Sequence, residues 1–250
     1  MTIYNYPYSP SSVSRYLECP YSFFLRYIKK IKLPSGDAAN FGKAIHKVNE
    51  MFWANYKIYS EPLKAMQYTI DEYWDKTIKE EYEQPAHQCM DNFIAIVNEN
   101  PTIFPTYTEV KASNNINDTV AIIDVVYPHK LVDYKTSTQF TIKPKLPNII
   151  QAVMCSHNLN VAFGLDIRRV EFQYLRMKKY QVVDVTDTLI DEINLLIEQV
   201  RNKVKNDEFP KKDKCFICEY KLICESEKRY KEKICKVEIL SDINKLNNLV

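Results

Sequence analysis

Two aspartates and one lysine near the middle of the chain lie in strongly apolar surroundings. Asp124 is embedded in the run VAIIDVVY, and Asp133 and Lys135 follow in LVDYKTS. A strand as apolar as VAIIDVVY is expected to be buried on both faces, where an unpaired carboxylate is costly. The two aspartates therefore need a cation, such as Lys135 or a bound metal ion.

The alternation of side chains along a strand places the second acid and the lysine together. Asp133 and Lys135 are predicted to share one face with Tyr134 opposite, and a hairpin through YPHK would bring Asp124 beside Asp133. Mg²⁺ and Mn²⁺ bind carboxylate and carbonyl oxygens, and a nearby lysine can stabilise negative charge developing on a phosphate. The pattern indicates phosphodiester hydrolysis, with a structural ion pair between Lys135 and one aspartate as the alternative.

Hydrophobic periodicity predicts the elements that must position these residues. The first hundred residues are mostly helical, and strands flanked by helices follow beyond Pro105. This order favours an α/β or α+β domain with a mixed central sheet that helices cover on both sides. The predicted helices begin at Ser9-Pro10 and run over 40–56, 61–83, 86–98, 146–159 and 188–204, and the strands cover 107–113, 118–127, 130–137, 168–177 and 181–187.

Composition excludes several classes of function. The chain has 250 residues but only three glycines, too few and too scattered for a P-loop or a dinucleotide fingerprint, so no nucleotide cofactor is expected. The formal charge of +2 gives no general basic field. The sequence has no export signal and no apolar run of membrane-spanning length, which predicts a cytoplasmic protein.

Seven cysteines in a chain of this kind indicate metal ligation or redox chemistry rather than disulfides. Cys215, Cys218 and Cys224 form C-x2-C-x5-C, a spacing typical of metal binding. Two residues are candidates for the fourth ligand. Cys235 would complete a local zinc site, whereas Cys19 would link the N-terminal helix to the C-terminal segment, as in a four-thiolate iron–sulfur cluster.

The segment IIDVVYPHKLVDYKTS resembles the core of PD-(D/E)XK nucleases, especially their RecB-type branch. FGKAIH, at 41–46, resembles the G-x-x-x-H helix of that branch, and Gln151 begins the helix after the core. Glu109 lies where an acidic residue commonly precedes the core strands, and its role is open between a site carboxylate and an exposed strand residue. Two positions depart from the branch, because Ala121 replaces a glycine and Cys155 replaces a tyrosine.

This resemblance implies a restriction-endonuclease-like fold and a site for Mg²⁺ or Mn²⁺. It implies that the metal ligands are His46, Asp124, Asp133 and the Tyr134 carbonyl, and that the catalytic residues are Lys135, Asp124, Asp133 and Gln151. Iron–sulfur nucleases of the AddB and CRISPR-adaptation kind carry one cysteine before the core and three after it. The resemblance therefore selects Cys19, with Cys215, Cys218 and Cys224, as ligands of a [4Fe-4S] cluster.

Two basic segments are candidates for DNA contact. Residues 201–236 hold twelve Lys or Arg against seven Asp or Glu, and a second basic patch lies at 26–32. A shared cluster would bring the segments together, so that they could follow a phosphate backbone while tyrosines stack on unpaired bases, without reading sequence. The DNA-binding candidates are Arg26, Lys29, Lys30, Tyr220 and Lys221.

The sequence as a whole predicts one nuclease domain over 1–250. Within it we expect a helical cap at 9–100, a nuclease core at 105–206 and a cysteine module at 210–236. The expected function is metal-dependent DNA hydrolysis by an iron–sulfur exonuclease acting on single strands or ends in replication, repair or CRISPR adaptation, with a separate helicase, replication or integrase partner. The alternatives are a catalytically silent DNA-binding subunit and a zinc-stabilised structure-specific endonuclease.

Overall fold

A five-stranded mixed sheet forms the centre of the computed structural model, which describes residues 7–212 and 218–225. The strands lie in the order β1-β2-β3-β4-β5, and β3 and β4 are parallel while the other neighbours are antiparallel. The predicted mixed sheet is thus confirmed. The strands are β1 Tyr107–Asn114, β2 Thr119–Val126, β3 Leu131–Lys135, β4 Arg169–Tyr174 and β5 Lys179–Asp184.

Helices cover both faces of the sheet, and their ends follow from local sequence. Ser9 caps the first helix by accepting a hydrogen bond from the Ser12 N–H, and Pro10 occupies the first helical position. Gly164 ends the sixth helix in the left-handed conformation, at φ 69°. The helices are α1 Pro10–Glu18, α2 Pro20–Phe23, α3 Asp37–Tyr59, α4 Pro62–Tyr73, α5 Glu83–Glu99, α6 Leu146–Phe163 and α7 Asp187–Lys205.

Two hydrophobic cores lie on opposite faces of the sheet. The first core packs α1, α6 and α7 against one face, and the second packs α3, α4 and α5 against the other. Alternation along β3 sends Leu131 into the first core and Val132 and Tyr134 into the second. The sheet therefore forms the middle layer and separates the two groups of helices.

The hairpin between β2 and β3 forms as predicted. Val125 pairs with Val132 and Val126 pairs with Leu131, so the same register places Asp124 opposite Asp133. Burial of β2 is less complete than its sequence suggested, because Ile122 is 59% exposed. The expectation that helices cover β2 on both faces along its whole length is wrong at that residue.

The helix predicted over 61–83 ends ten residues early. α4 stops at Tyr73, and Trp74 turns into extended backbone and packs against the second core. The Asp75 side chain then accepts hydrogen bonds from the Thr77 N–H at 2.9 Å and from its hydroxyl at 2.6 Å. A side chain that binds nearby backbone in this way competes with helix formation, so the chain turns here.

None of the helices in the described ranges is long and apolar enough to cross a lipid bilayer.

The packing of α7 can be tested with two similar substitutions on one helix. Ile197 is 3% exposed in the first core, whereas Leu195 is 61% exposed. Ile197→Ala should lower the free energy of unfolding by about 2–5 kcal/mol because it leaves a cavity, and Leu195→Ala should change it by less than about 0.5 kcal/mol. Urea unfolding followed by circular dichroism measures both, and equal losses would contradict this packing.

Candidate active site and metal centre

Three potential metal ligands from different elements meet at one side of the sheet. His46 comes from α3, Glu109 from β1 and Asp124 from β2, and each offers one ligand atom within 4.8 Å of the others. His46 Nδ1 lies 3.2 Å from Asp124 Oδ2. Imidazole nitrogen and carboxylate oxygens at this spacing can be bridged by one cation, so the arrangement fits a divalent metal ion.

The close approach of α3 to the sheet depends on Gly42. A Cβ atom at this position would lie 3.3 Å from Thr136 Oγ1, which is tighter than nearly all real contacts of that kind. Thr136 directly follows Lys135 at the end of β3. Because residues four apart lie on the same side of a helix, the absence of a side chain at Gly42 lets the face that carries His46 approach the strands.

Glu109 reaches the site from an unusual backbone conformation. Its φ is +48°, in the left-handed region that few residues other than Gly, Asn and Asp adopt. The β1–β2 register runs through Thr108–Val125 and Val110–Ile123, which sets Glu109 opposite Asp124 without a ladder pair between them. Strain of this kind costs about 1–3 kcal/mol and is typical of functional sites. The sequence left its role open, and the structure places its carboxylate among the candidate ligands.

A second cluster joins Asp133, Lys135 and Gln151 beside the first. The Lys135 ammonium lies 2.6 Å from Asp133 Oδ2 and donates to Gln151 Oε1 at 2.9 Å, while the Gln151 amide donates to Asp133 Oδ1. Asp133 and Lys135 are therefore neighbours, as strand alternation predicted, and the structure adds Gln151 to them, while the catalytic roles of the three residues stay predictions. In the described structure Asp133 faces the lysine, and its predicted role as a metal ligand stays a prediction.

The backbone of Tyr134 connects the two clusters. Its N–H donates to Asp124 Oδ2 at 2.7 Å, while its ring enters the second core beside Phe93, with ring centroids 5.5 Å apart. Tyr134 thus lies opposite Asp133 and Lys135, as strand alternation predicted. The role of its carbonyl oxygen as a metal ligand stays a prediction.

Crowding of carboxylates shifts the ionisation of the site. Burial, and then the charge of Asp124, raise the pKa of Glu109 to about 7. Burial raises the pKa of Asp133 although Lys135 opposes the shift. Burial alone would lower the pKa of His46, but the hydrogen bond and charge of Asp124 outweigh it and raise this pKa to about 9. Groups that hold protons so firmly indicate an excess of negative charge, which a divalent cation would relieve.

The residues present therefore fit a divalent metal ion, with His46, Glu109 and Asp124 as the ligands that the geometry supports. Such an ion, when bound, polarises a phosphate and lowers the pKa of an attacking water. Lys135 is held in place by Asp133 and Gln151 and can stabilise negative charge on a phosphate oxygen. Together these groups can hydrolyse a phosphodiester.

Comparison with known families agrees with this chemistry. Residues 7–225 match the model of the PD-(D/E)XK nuclease superfamily. The chain belongs to the PD-(D/E)XK nuclease superfamily. The match spans both groups of helices and the whole sheet, and it confirms the family resemblance of the sequence. A search of curated proteins finds no match.

Comparison with solved structures finds a protein that shares the fold of this chain. A protein from Eubacterium rectale, provisionally named as an exonuclease, is 13% identical, with a TM-score of 0.53 and coverage of 86% of each chain. LHK-Exo in complex with dAMP is 15% identical, covers 67% of this chain and 92% of its own, and has a TM-score of 0.35. At 13% identity, the similarity to the Eubacterium rectale protein shows a shared fold only.

The two departures from the usual PD-(D/E)XK pattern are both packed into the first core. Ala121 lies on β2 and Cys155 on α6, and both are buried. The Cys155 thiol lies 3.9 Å from the Ile122 carbonyl oxygen, and burial raises its pKa far above the usual range. Cys155 and Cys89 are therefore neutral packed thiols.

The predicted DNA contacts lie where the C-terminal segment meets the N-terminal helices, and one of them needs correction. Tyr220 is only 1% exposed and its hydroxyl donates to the Ile31 carbonyl at 2.8 Å, so it packs the two segments together and is not available to stack on bases. Arg26 lies 3.8 Å from Glu219. Lys29, Lys30 and Lys221 are exposed, and their role stays a prediction.

Glu109 provides a test of the metal centre. Mn²⁺ at about one hundred times its Kd should stabilise the parent protein against urea by about 2.7 kcal/mol, because only the folded state holds the site. Glu109→Gln removes one ligand and should abolish most of that gain. Glu61→Gln, at an exposed residue paired with Lys64, is the control and should keep it. Full Mn²⁺ stabilisation of Glu109→Gln would contradict the assignment of this ligand.

Proposed function

We propose that the chain is a Mg²⁺- or Mn²⁺-dependent deoxyribonuclease that removes nucleotides from DNA ends or single strands. The observation that carries this proposal is the contact between the two clusters. The potential metal ligands His46, Glu109 and Asp124 adjoin Asp133, Lys135 and Gln151 through the Tyr134 N–H. Membership of a nuclease superfamily makes phosphodiester hydrolysis the reaction that fits this arrangement.

Each residue has a part in the proposed hydrolysis. Glu109, Asp124 and His46 would hold the metal, which when bound would supply positive charge at the scissile phosphate. Lys135 lies 5.1 Å from the centroid of the Phe172 ring and is fixed by Asp133 and Gln151, so its ammonium is directed before substrate arrives. A cation fixed in this way stabilises developing charge without having to reorganise. The complete set argues against the silent DNA-binding subunit.

The exonuclease part of the proposal has a separate basis. The motif order resembles RecB-type nucleases, and the Eubacterium rectale protein with the same fold is provisionally named as an exonuclease. Preference for ends would spare closed circular DNA. The competing function, a structure-specific endonuclease, would cut circular and linear DNA that carry the same junction.

Cleavage assays on matched substrates test both parts of this proposal. With Mn²⁺ or Mg²⁺, the parent protein should degrade linear single strands and spare closed circles of the same sequence. Asp124→Ala and Lys135→Met should each reduce the cleavage rate by about 10²–10³-fold, because they remove a ligand and a charge stabiliser. Lys64→Met, on the exposed surface of α4, is the control. Parent activity no higher than that of both variants would favour a silent subunit, and equal cutting of circles would favour an endonuclease.

We further propose that Cys19, Cys215, Cys218 and Cys224 hold a [4Fe-4S] cluster. Cys19 lies between α1 and α2, and Cys218 and Cys224 are half-buried. Cys215 and Cys235 fall outside the described residues. A cluster at these cysteines would need the C-terminal segment to lie against the N-terminal helices.

Contacts between the two segments support that arrangement. Arg15 on α1 forms a 2.6 Å ion pair with Glu219, the residue after Cys218, and the Lys212 ammonium donates to the Leu17 carbonyl at 2.9 Å. In the N-terminal segment both contacts lie within four residues of Cys19, and in the C-terminal segment one of them involves the residue next to Cys218. Zinc held by Cys215, Cys218, Cys224 and Cys235 is the competing assignment.

Colour and metal content distinguish the two assignments. Protein purified without oxygen should be brown, with a broad absorbance near roughly 400 nm, and should contain iron and acid-labile sulfide. Cys19→Ser should lose the colour, because the cluster needs four thiolates. Cys89→Ala, at a buried thiol in the second core, should keep it. A colourless protein that contains zinc would contradict the iron–sulfur assignment. If zinc binding were also lost on substitution of Cys235, the zinc site would be the correct assignment.

The resemblance to RecB-type enzymes also supplies the proposed setting. We propose on this basis that the chain acts in replication, recombination and repair or CRISPR adaptation, with a separate helicase, replication or integrase partner. Binding to DNA is proposed to be independent of sequence, because the charged residues assigned to it contact a backbone that carries no base identity.

A further inference from the structure

Arg176 is a half-buried cation for which the described structure offers no anion. It lies in the turn after β4, and its Nε atom is buried without a hydrogen-bond partner. No carboxylate among residues 7–212 and 218–225 comes within 4.0 Å of its guanidinium. Arginine remains charged at all ordinary pH values, so an unpaired and partly desolvated guanidinium indicates a missing anionic partner.

The neighbours of the Arg176 side chain leave its charge uncompensated. The guanidinium carbon lies 4.8 Å from the centroid of the Phe41 ring, an arrangement that holds a cation without neutralising it. The second neighbour is the thiol of Cys89 on α5. Burial raises the pKa of this thiol to about 11 although Arg176 opposes the shift, so the thiol is neutral at pH 7. Both contacts fix the side chain in position and leave its charge available.

Two separate contacts hold Arg176 beside the end of β3, the strand that carries Asp133 and Lys135. The N–H of Leu175, the preceding residue, donates to the carbonyl of Lys135 at 2.9 Å. Phe41 precedes Gly42, the residue that lets α3 approach Thr136 at the end of the same strand. The guanidinium therefore lies at the point where β3, α3 and the β4–β5 turn meet.

The spacing along α3 between Phe41 and the potential ligand His46 suits a neighbouring phosphate. Phe41 and His46 are five residues apart on α3, which corresponds to about 7.5 Å along the helix axis. For a phosphate bound beside His46, a neighbouring phosphate of the same strand could lie near the first turn of α3, where Arg176 contacts Phe41. A guanidinium is suited to this task because it can donate two parallel hydrogen bonds to phosphate oxygens.

We propose that Arg176 binds a backbone phosphate of the substrate strand next to the phosphodiester that is cleaved. This inference rests on the proposed nuclease function and adds a substrate-binding residue to it. In this role Arg176 recognises the negative charge of the phosphate and does not distinguish between bases. Its neighbour Lys178 has no such role, because its ammonium lies 3.0 Å from Glu99 and already has an anionic partner.

Binding measurements with matched variants test the proposal. Each variant is made in a Lys135→Gln background, so that a labelled single-stranded oligonucleotide is bound and not consumed, and Kd is measured from about 50 to 200 mM salt. Arg176→Met keeps an apolar side chain against Phe41 but removes the charge. It should raise Kd at least about tenfold and lower the slope of log Kd against log salt by about 0.7.

Two further variants separate charge from packing. Arg176→Lys keeps the charge and should keep the salt slope, and Lys178→Met, in the same turn, should change neither slope nor Kd. In the active protein Arg176→Met should raise KM and change kcat by less than about twofold, because the phosphate contact is made equally in ground and transition states. Thermal unfolding of each variant shows whether the fold is retained.

The outcomes separate this inference from the function on which it rests. An unchanged salt slope in Arg176→Met, or an equal loss in Lys178→Met, would overturn the role of Arg176 while leaving the nuclease proposal intact. A lower unfolding temperature with an unchanged slope would assign Arg176 to packing and would overturn it as well. A parent protein that neither binds nor cleaves DNA would overturn the proposed function itself.

Discussion

One carboxylate oxygen, Asp124 Oδ2, constrains the arrangement of three elements at once. It accepts the Tyr134 N–H from β3 at 2.7 Å and lies 3.2 Å from His46 Nδ1 on α3, and Asp124 shares its side of the sheet with Glu109 on β1. A buried carboxylate that lost one of these partners would retain the full cost of its desolvation. The register of the hairpin and the approach of α3 are therefore tied to the contacts of a single side chain.

The two hydrophobic cores divide the support of the site between them. The second core holds α3 and with it His46, whereas the first core holds α6 and with it Gln151. Asp124 and Asp133 belong to the sheet that both cores share. Packing changes in the second core should thus act on the metal ligands, and changes in the first core on the lysine and its partners. The site lies at the boundary where the two effects meet.

Sequence periodicity predicted the parts of the fold that depend on local pattern. The β2–β3 hairpin and the shared face of Asp133 and Lys135 followed from alternation, whereas His46 and Gln151 were candidates only through the resemblance to RecB-type nucleases. Other features depend on contacts that no local pattern carries. The Asp75 side chain accepts a hydrogen bond from the Thr77 N–H just after the end of α4, and the Tyr220 hydroxyl donates to the Ile31 carbonyl, distant in the chain. The left-handed Glu109 and the unpaired Arg176 are equally invisible before the elements are assembled.

The junction of the first and last described segments also determines when this protein can finish folding. The Tyr16 hydroxyl donates to the Glu208 carbonyl across 192 positions, and the Tyr220 hydroxyl to Ile31 across 189. A ribosome that adds about 5–20 residues per second would need about 10–40 s to connect such partners. During that interval α1 and α2 lack the aromatic face of Phe209 that covers them in the finished fold. The N-terminal helices are thus made first, whereas the contacts that join them to the C-terminal segment form only after synthesis has reached that segment.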